Sequence, residues 1–313
     1  MLNGETVTIL LAAHNGERYL REQLDSILRQ NFGGWRLIAS DDGSTDRSPQ
    51  ILDDYARRFP GRIRVLSHDL RFGNARDHFF YLLQHCEGRY IMFCDQDDLW
   101  LPDKIRITLT RMRAAEAGAG ADTPVLVHTD LAVTDRNLRI RAKSFFSFAK
   151  LDWRRSALGN LLVQNIVTGC TVMVNRPLLN RMGEPPRRAL MHDWWLALVA
   201  SAFGRVEFIH KPTVLYRQHG RNQVGAHDAG SPRYLWERLR NVRRLKEGMS
   251  GTYAQAAEFV LHYGDALTPE QKKMLDAYLA VPFLHKPERV AVLARRGFLK
   301  KGWLRAAGQL WLS

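Results

Sequence analysis

Three cysteines in 313 residues, Cys86, Cys94 and Cys170, are too few and too scattered for a disulfide framework, and none stands in C-x-x-C spacing. A reducing compartment is expected. Uncharged runs are short as well: none approaches the roughly 20 apolar residues of a spanning helix. Met1 to Thr6 is polar and lacks the basic start and apolar run of a secretory leader. The chain is therefore expected in the cytoplasm, free or peripheral on the inner face of the membrane. Acidic residues are in deficit, 32 Asp and Glu against 46 Lys and Arg, a formal charge of +14. That balance suits an anionic partner such as a nucleotide, a nucleic acid or an acidic lipid. Repeats of fixed period and low-complexity tracts are absent, and a chain of this length can bury a sizeable core.

What the chain does contain is an alternation of strand-like and helix-like segments. Val7 to Leu11 is a continuous apolar run opening into Ala12-Ala13-His14-Asn15-Gly16, the pattern of a buried parallel strand entering a loop. Leu20, Leu24, Ile27 and Leu28 then recur at helical spacing, up to Asn31 and Gly33-Gly34. The unit repeats as strand Trp35 to Ser40, loop Asp41 to Asp46, helix Ser48 to Phe59 and strand Ile63 to Ser67. A helix from about Asn74 to Cys86, strand Tyr90 to Cys94 and a helix opened by Leu101-Pro102-Asp103, where proline suits the first turn, complete a doubly wound half. Such alternation implies right-handed βαβ crossovers and a mostly parallel sheet, an α/β fold.

Beyond Val125 the pattern loosens. Val125 to Thr129 and Thr171 to Val174 read as strands, Asp193 to Ala202 as a helix, and Val206 to Ile209 and Val214 to Tyr216 as two short closing strands around Lys211-Pro212. After Gly230 the texture becomes basic and helical, with Leu235, Leu239, Val242 and Leu245 on one stripe and Arg238, Arg240, Arg243 and Arg244 among the polar positions. The expected division is an α/β domain over residues 1–229 and a basic helical C-terminal region over 230–313. From Arg289 to Ser313 there is no acidic residue, while Arg295, Arg296, Lys300, Lys301 and Arg305 alternate with Phe298, Leu299, Trp303, Leu304, Leu310 and Trp311. Such a segment either lies on an anionic membrane surface, with Trp303 and Trp311 at the interface, or packs its apolar side on the domain.

In open parallel sheets ligands bind outside the carboxyl ends of the strands, and three polar loops fall there: His14-Asn15-Gly16-Glu17, Asp41-Asp42-Gly43-Ser44-Thr45-Asp46 and Asp95-Gln96-Asp97-Asp98. Two are rich in carboxylates. A phosphate would be repelled by bare carboxylates, so an acidic anion site makes sense when a hard divalent cation bridges the two. Taken singly, Asp-Asp-Gly-Ser is equally a turn and helix cap, and Asp98 equally a favourable charge at a helix start. The three loops at successive strand ends are what mark a site.

Val-Thr-Ile-Leu-Leu-Ala-Ala-His-Asn-Gly-Glu-Arg-Tyr-Leu (7 to 20), Ser-Asp-Asp-Gly-Ser-Thr-Asp (40 to 46) and Cys-Asp-Gln-Asp-Asp-Leu-Trp-Leu-Pro-Asp-Lys (94 to 104) together resemble the ordered signatures of family 2 glycosyltransferases, over about Val7 to Val224. The resemblance implies the Rossmann-like GT-A fold and a nucleotide-sugar donor held with Mg²⁺ or Mn²⁺. It assigns Ala12, His14, Asn15, Glu17, Asp42, Asp95 and Gln96 to the nucleotide, with His14 beside the base, Asp42 accepting the base N3–H and Asp95 near the ribose. It makes Asp97 the main metal ligand, with Asp98 in support. Within Met191-His192-Asp193-Trp194-Trp195, Asp193 matches the general base that a poorly nucleophilic acceptor hydroxyl needs. Inversion at the sugar carbon, without a covalent enzyme intermediate, is the implied outcome. Thr168-Gly169-Cys170, with Trp194, resembles the surroundings of the donor sugar and acceptor. Tyr216-Arg217-Gln218-His219-Gly220-Arg221-Asn222 resembles a terminal Y-R-x-H-x-x-N element whose Arg217 and His219 meet the diphosphate or metal. Asp-Gln-Asp-Asp-x-Trp combined with His-Asp-Trp-Trp is similar to bacterial rhamnosyltransferases of surface polysaccharide synthesis. That branch implies dTDP-L-rhamnose as donor and a lipid-linked saccharide or oligosaccharide as acceptor, as in O-antigen assembly, with UDP-hexoses the competing donors.

Two other classes fit less well. A nucleotidyltransferase would place a Gly-rich basic loop straight after the first strand, where this chain has Ala12-Ala13-His14-Asn15-Gly16. A nucleic-acid-binding protein would carry basic residues interleaved with aromatics across the main domain. Carboxylates fill those loops instead, and no nucleic-acid partner is expected.

Overall fold

The computed structural model describes residues 6–219 and 242–312. β1 (Val7–Ala13), β2 (Trp35–Asp41), β3 (Ile63–Leu66) and β4 (Tyr90–Asp95) form an all-parallel half-sheet in the order β3-β2-β1-β4. β1 and β4 are buried almost throughout because side chains alternate between two covered faces, while β2 and β3 leave Arg36 and Arg64 exposed. Val7, Ile9 and Leu11 point into the layer of α1 (Leu20–Leu28), α2 (Ser48–Arg58) and α4 (Lys104–Ala119). Leu10, Ile38 and Phe93 point the other way, into a core shared by α3 (Ala75–Gln84), the short helices α5 (Phe145–Phe148), α6 (Leu158–Leu161) and α7 (Arg176–Met182), and α8 (His192–Phe203).

The second half-sheet is mixed. β8 (Met173–Asn175) runs antiparallel between β4 and β6 (Val125–Thr134), β9 (Arg205–Arg217) runs parallel to β6, and the short β5 (Leu99–Trp100) closes the edge against β9. β7 (Ile140–Ala142) pairs with β6. The architecture is the expected Rossmann-like α/β sheet flanked by helices, with a helical C-terminal region.

Two local readings differ from the structure. Val206 to Ile209 and Val214 to Tyr216 belong to one strand, not two: Thr129 faces Ile209 and Asp130 faces Pro212, so a bulge absorbs the position where proline cannot donate to the ladder. Pro102 stands before α4, not in its first turn. Leu101, held extended ahead of proline, donates its N–H to Thr213 O at 2.9 Å, and Asp103 is the N-cap.

Gly204 joins α8 to β9 where the backbone of Pro124 crosses. A Cβ there would lie 1.8 Å from Pro124 O, the acceptor of the Arg205 N–H at 2.9 Å. Gly204→Ala must push the starts of β6 and β9 apart. It is expected to lower stability by about 3 kcal/mol, read as a lower urea midpoint at unchanged m-value.

Helices Val242–Tyr263, Pro269–Ala280, Lys286–Arg295 and Trp303–Leu312 follow. Phe259, Leu275, Tyr278, Leu293 and Phe298 are buried in the same core as Trp195, Leu196 and Val199 of α8, and the Trp195 and Phe259 rings meet at 5.5 Å and 66°. The domain boundary expected at 229/230, the Leu235 and Leu239 stripe, Arg238, Arg240, Arg221 and Asn222 lie outside the described residues. Among the described residues, no helix is long and apolar enough to cross a membrane.

Candidate active site

The loops after β1, β2 and β4 meet at one sheet edge and are tied together by side chains. His14 N donates to Gln96 Oε1 at 2.6 Å and Gln96 Nε2 returns a bond to His14 O at 2.7 Å. Gly16 lets that amide pass, since a Cβ would sit 2.4 Å from Gln96 Oε1. Asn15 takes a φ of 51°, which asparagine tolerates. It donates its N–H to Ser44 Oγ at 2.7 Å and accepts from Thr45 N at 2.8 Å. Glu17 accepts from Arg47 N at 2.9 Å and donates its own N–H to Asp46 at 3.0 Å. Asn15 and Glu17 thus brace the loop after β2, while Ala12, His14 and Gln96 line a cleft of about 500 Å³.

Asp42 forms one wall of this cleft. His14 Nδ1 pairs with its carbonyl at 2.9 Å, and its buried carboxylate accepts from Phe72 N at 2.5 Å and Gly73 N at 2.8 Å. A carboxylate has lone pairs left after two such bonds. Behind it, Ser40 Oγ lies 2.7 Å from both His78 Nε2 and His68 Nε2. Burial pushes His78 down to about 4, so it is neutral at pH 7. Gly73, Asn74 and His78 line the cleft yet were absent from the residues singled out by sequence. Their one local signal was Asn74 ahead of a helix, where it caps α3 by accepting from Asp77 N at 2.9 Å.

Asp95 and Asp97 make the opposite wall. Asp97 Oδ2 is 2.7 Å from His219 Nε2, and the His219 ring stacks on Tyr19 at 5.0 Å. Burial, then the charges of Asp97 and Asp193, push Asp95 up to about 7. This crowding of carboxylates is what a hard divalent cation relieves, and such cations prefer carboxylate oxygen. The donor set fits one: Asp95 and Asp97 on the cleft, with the His219 imidazole against Asp97. Asp95, Asp98 and Cys170 also bring ligand atoms within 4.8 Å of one another. Asp98 and Cys170, however, are shut in behind the wall, 0% and 1% exposed, and face no space that a phosphate could enter. Burial and the neighbouring Asp97 and Asp95 raise Asp98 well above the usual carboxylate range.

Asp193 enters the cleft from the first turn of α8. Its Oδ1 accepts from Trp194 N at 2.6 Å and from Asn165 Nδ2 at 3.2 Å. Burial pushes its carboxyl up to about 7 against the lowering effect of hydrogen bonds from Trp194, Gly169 and Asn165. A Cβ on Gly169 would come 2.9 Å from His192 Nε2 and 3.5 Å from Asp193 Oδ2, so only glycine lets the 168–169 backbone pack this closely. Thr168 and Gly169 line the cleft beside Asp193. His192, tilted against Phe79 at 4.3 Å, is pushed down to about 3 by burial and stays neutral.

The strand of chain that delivers Asp193 is held from two sides. Arg187 N and Arg188 N donate to the Glu258 carboxylate at 2.6 and 2.5 Å, and Leu190 N donates to Gln255 Oε1 at 2.8 Å. Arg76 Nη1 donates to Ala189 O at 2.9 Å. Helix Val242–Tyr263 is therefore part of the scaffold of the site, which nothing in the sequence signalled.

Six of the residues singled out by sequence do not line the cleft: Asn15 and Glu17 brace the loop after β2, His219 sits against Asp97, and Arg217, Cys170 and Trp194 lie behind the wall. Arg217 is 2% exposed; it donates to Asp97 O at 2.8 Å, Arg136 O at 2.9 Å and Glu22 at 2.5 Å, with its guanidinium 4.4 Å from the Tyr19 ring centre. It fixes the Asp97 backbone from behind. Cys170 is buried beside Asp98. Trp194 sends its indole N–H to Leu161 O at 2.6 Å.

A parallel half-sheet with carboxylates at its strand ends, faced by a carboxylate at a helix start, is the GT-A class of architecture. Staphylococcus aureus TarS 1–349 in complex with UDP-GlcNAc superposes with a TM-score of 0.57 over 93% of this chain and 80% of that chain, at 16% identity. The mannosyltransferase PcManGT from Pyrobaculum calidifontis, in complex with GDP-Man and Mn²⁺, superposes at 0.54 over 99% and 79%, at 18% identity. In sequence, the model of glycosyl transferase family 2 matches residues 8–181. The dTDP-rhamnosyl transferase RfbG of Shigella flexneri is 30% identical over 244 residues, 74% of this chain and 79% of that protein. Escherichia coli WfgD, a UDP-Glc:alpha-D-GlcNAc-diphosphoundecaprenol beta-1,3-glucosyltransferase, is 24% identical over 196 residues, 62% and 69% of the two chains. The chain belongs to glycosyltransferase family 2.

Proposed function

We propose that the chain is an inverting, metal-dependent rhamnosyltransferase. Its donor is dTDP-L-rhamnose and its acceptor a hydroxyl of a lipid-linked saccharide on the inner face of a bacterial membrane, in O-antigen-like polysaccharide synthesis. The observation that carries this reading is a single cleft lined by the carboxylates of Asp95 and Asp97 together with Asp193 from the first turn of α8, whose carboxyl burial pushes up to about 7. The donor follows the likeness to RfbG, and the lipid-linked acceptor is in keeping with the substrate in WfgD's name.

Ala12, His14, Asp42 and Gln96 hold the thymidine moiety, braced by Asn15 and Glu17, and Asp95 reaches the ribose. Asp97, with His219, would hold Mg²⁺ or Mn²⁺, which would supply positive charge to offset that growing on the leaving diphosphate. Asp193 removes the acceptor hydroxyl proton. The freed oxygen pair attacks the anomeric carbon opposite the nucleotide, the carbon–oxygen bond to the diphosphate breaks, and dTDP departs with inversion. Thr168 and Gly169 border the sugar, while Cys170, Trp194 and Arg217 support these positions from behind.

Nucleotide release from dTDP-L-rhamnose, UDP-glucose, UDP-GlcNAc and GDP-mannose, with Mg²⁺ or Mn²⁺ and a lipid-linked acceptor, tests the reading. Release from dTDP-L-rhamnose is expected to exceed that from the others by about 100-fold. Faster turnover of a UDP-hexose would replace the donor; no turnover of any sugar nucleotide would remove the whole proposal.

A further inference from the structure

The last described helix, Trp303–Leu312, is held to the domain through its polar side chains. Its polar residues face the protein: Gln309 is 4% exposed, accepts from Lys300 N at 2.9 Å and donates to Phe298 O at 2.8 Å. Arg305 donates to Lys150 O at 3.2 Å and to Ala149 O at 2.6 Å. Leu304 and Leu310 are half-buried, Leu310 against the core, while a second apolar strip faces water. Trp303 and Trp311 are 78% and 61% exposed, and Ala307, exposed between them, completes an i, i+4, i+8 strip. Lys286 Nζ donates to Trp311 O at 3.3 Å, which sets the turn carrying Phe283, 88% exposed, near the same end. Hydrogen bonds through Arg305 and Gln309 fix which face is outward, so the exposure of the tryptophans is built into the attachment.

An apolar strip of this kind needs an occupant. The segment that carries it is basic: Arg295 and Arg296 are exposed and there is no acidic residue from Arg289 to Ser313. A second copy would bring like charge against like charge; an anionic lipid surface supplies the complement. Indole rings favour the headgroup level, where an apolar body and a polar N–H are both satisfied. We propose that the Trp303–Trp311 strip is a docking surface for an anionic lipid bilayer. The helix lies in the headgroup plane, its tryptophans inserted and its basic neighbours against phosphate. This inference does not depend on the donor or the acceptor.

Sedimentation of the full chain with phosphatidylcholine vesicles, with and without phosphatidylglycerol, tests it. Binding is expected only with phosphatidylglycerol and is expected to weaken with salt. Trp303→Ser/Trp311→Ser should reduce the partition coefficient at least about tenfold, as should Arg295→Glu/Arg296→Glu. Circular dichroism and donor hydrolysis in solution should be unchanged in both variants, which separates lost docking from lost folding. Failure of the wild-type chain to sediment, or sedimentation of both variants at the wild-type level, would overturn the proposal. A wild-type dimer in light scattering that the double serine variant dissolves, without vesicle binding, would assign the strip to a second copy and overturn it equally.

Discussion

Asp193→Asn is expected to lower kcat by about 10³-fold while donor affinity stays within about twofold, the signature of a lost general base. The substitution is nearly isosteric, and the remaining carbonyl oxygen can still accept from Trp194 N and Asn165 Nδ2. What disappears is the group able to take the acceptor proton. Because burial pushes the Asp193 carboxyl up to about 7, activity of the wild-type enzyme should rise through that region and level off above it. The variant should lose this limb. Stability should respond in the opposite sense. The folded-state value lies above the ordinary carboxylate value of about 3.9, so the folded state holds the proton more tightly, and stability falls as pH rises from about 4 through 7. Asparagine removes that cost. Donor-free Asp193→Asn should therefore melt higher than wild type at pH 8, with a smaller difference at pH 4. A variant that melts lower at both pH values would trace the lost activity to damage, and the base assignment would fall.

The half of the fold that carries the strand-end loops was the most legible. Val7 to Leu11 and Tyr90 to Cys94 are buried on both faces, so they read as apolar runs, interrupted only by Thr8, that end in polar loops, and the three loops singled out by sequence do meet at one sheet edge. Contacts between distant segments left no such trace. The Glu258 carboxylate that seats Arg187 and Arg188 lies about 70 positions away, and its sequence surroundings are those of any exposed helical glutamate. Arg217 illustrates a second limit. A guanidinium suits a diphosphate and a buried bracket of carbonyls equally well, and only the positions of Glu22, Arg136 and Tyr19 decide for the bracket. The helix Trp303–Leu312 shows a third: periodicity separates two faces but does not say which is turned inward.

Asp97→Asn is expected to lower turnover by about 10³-fold, the equivalent of about 4 kcal/mol of transition-state stabilisation. Asp97 stands on the cleft wall with one carboxylate oxygen already paired to His219 at 2.7 Å, so its other oxygen is the atom best placed to meet a cation from the cleft side. Asparagine keeps the size and can still accept from His219, yet its neutral amide is a poor ligand for a hard divalent ion. Direct Mn²⁺ binding in the presence of dTDP, followed through the spectrum of the free ion, should weaken at least about tenfold in the variant. His219→Gln should show a smaller loss in both measurements, since it removes only the ligand beside Asp97. Arg217→Lys gives the contrast. It acts on the Asp97 backbone from behind, so it should cost folding stability before it costs Mn²⁺ affinity. Full activity in Asp97→Asn, or wild-type turnover indifferent to EDTA, would leave the wall carboxylates without a metal to hold and would require another way to offset the charge of the departing diphosphate.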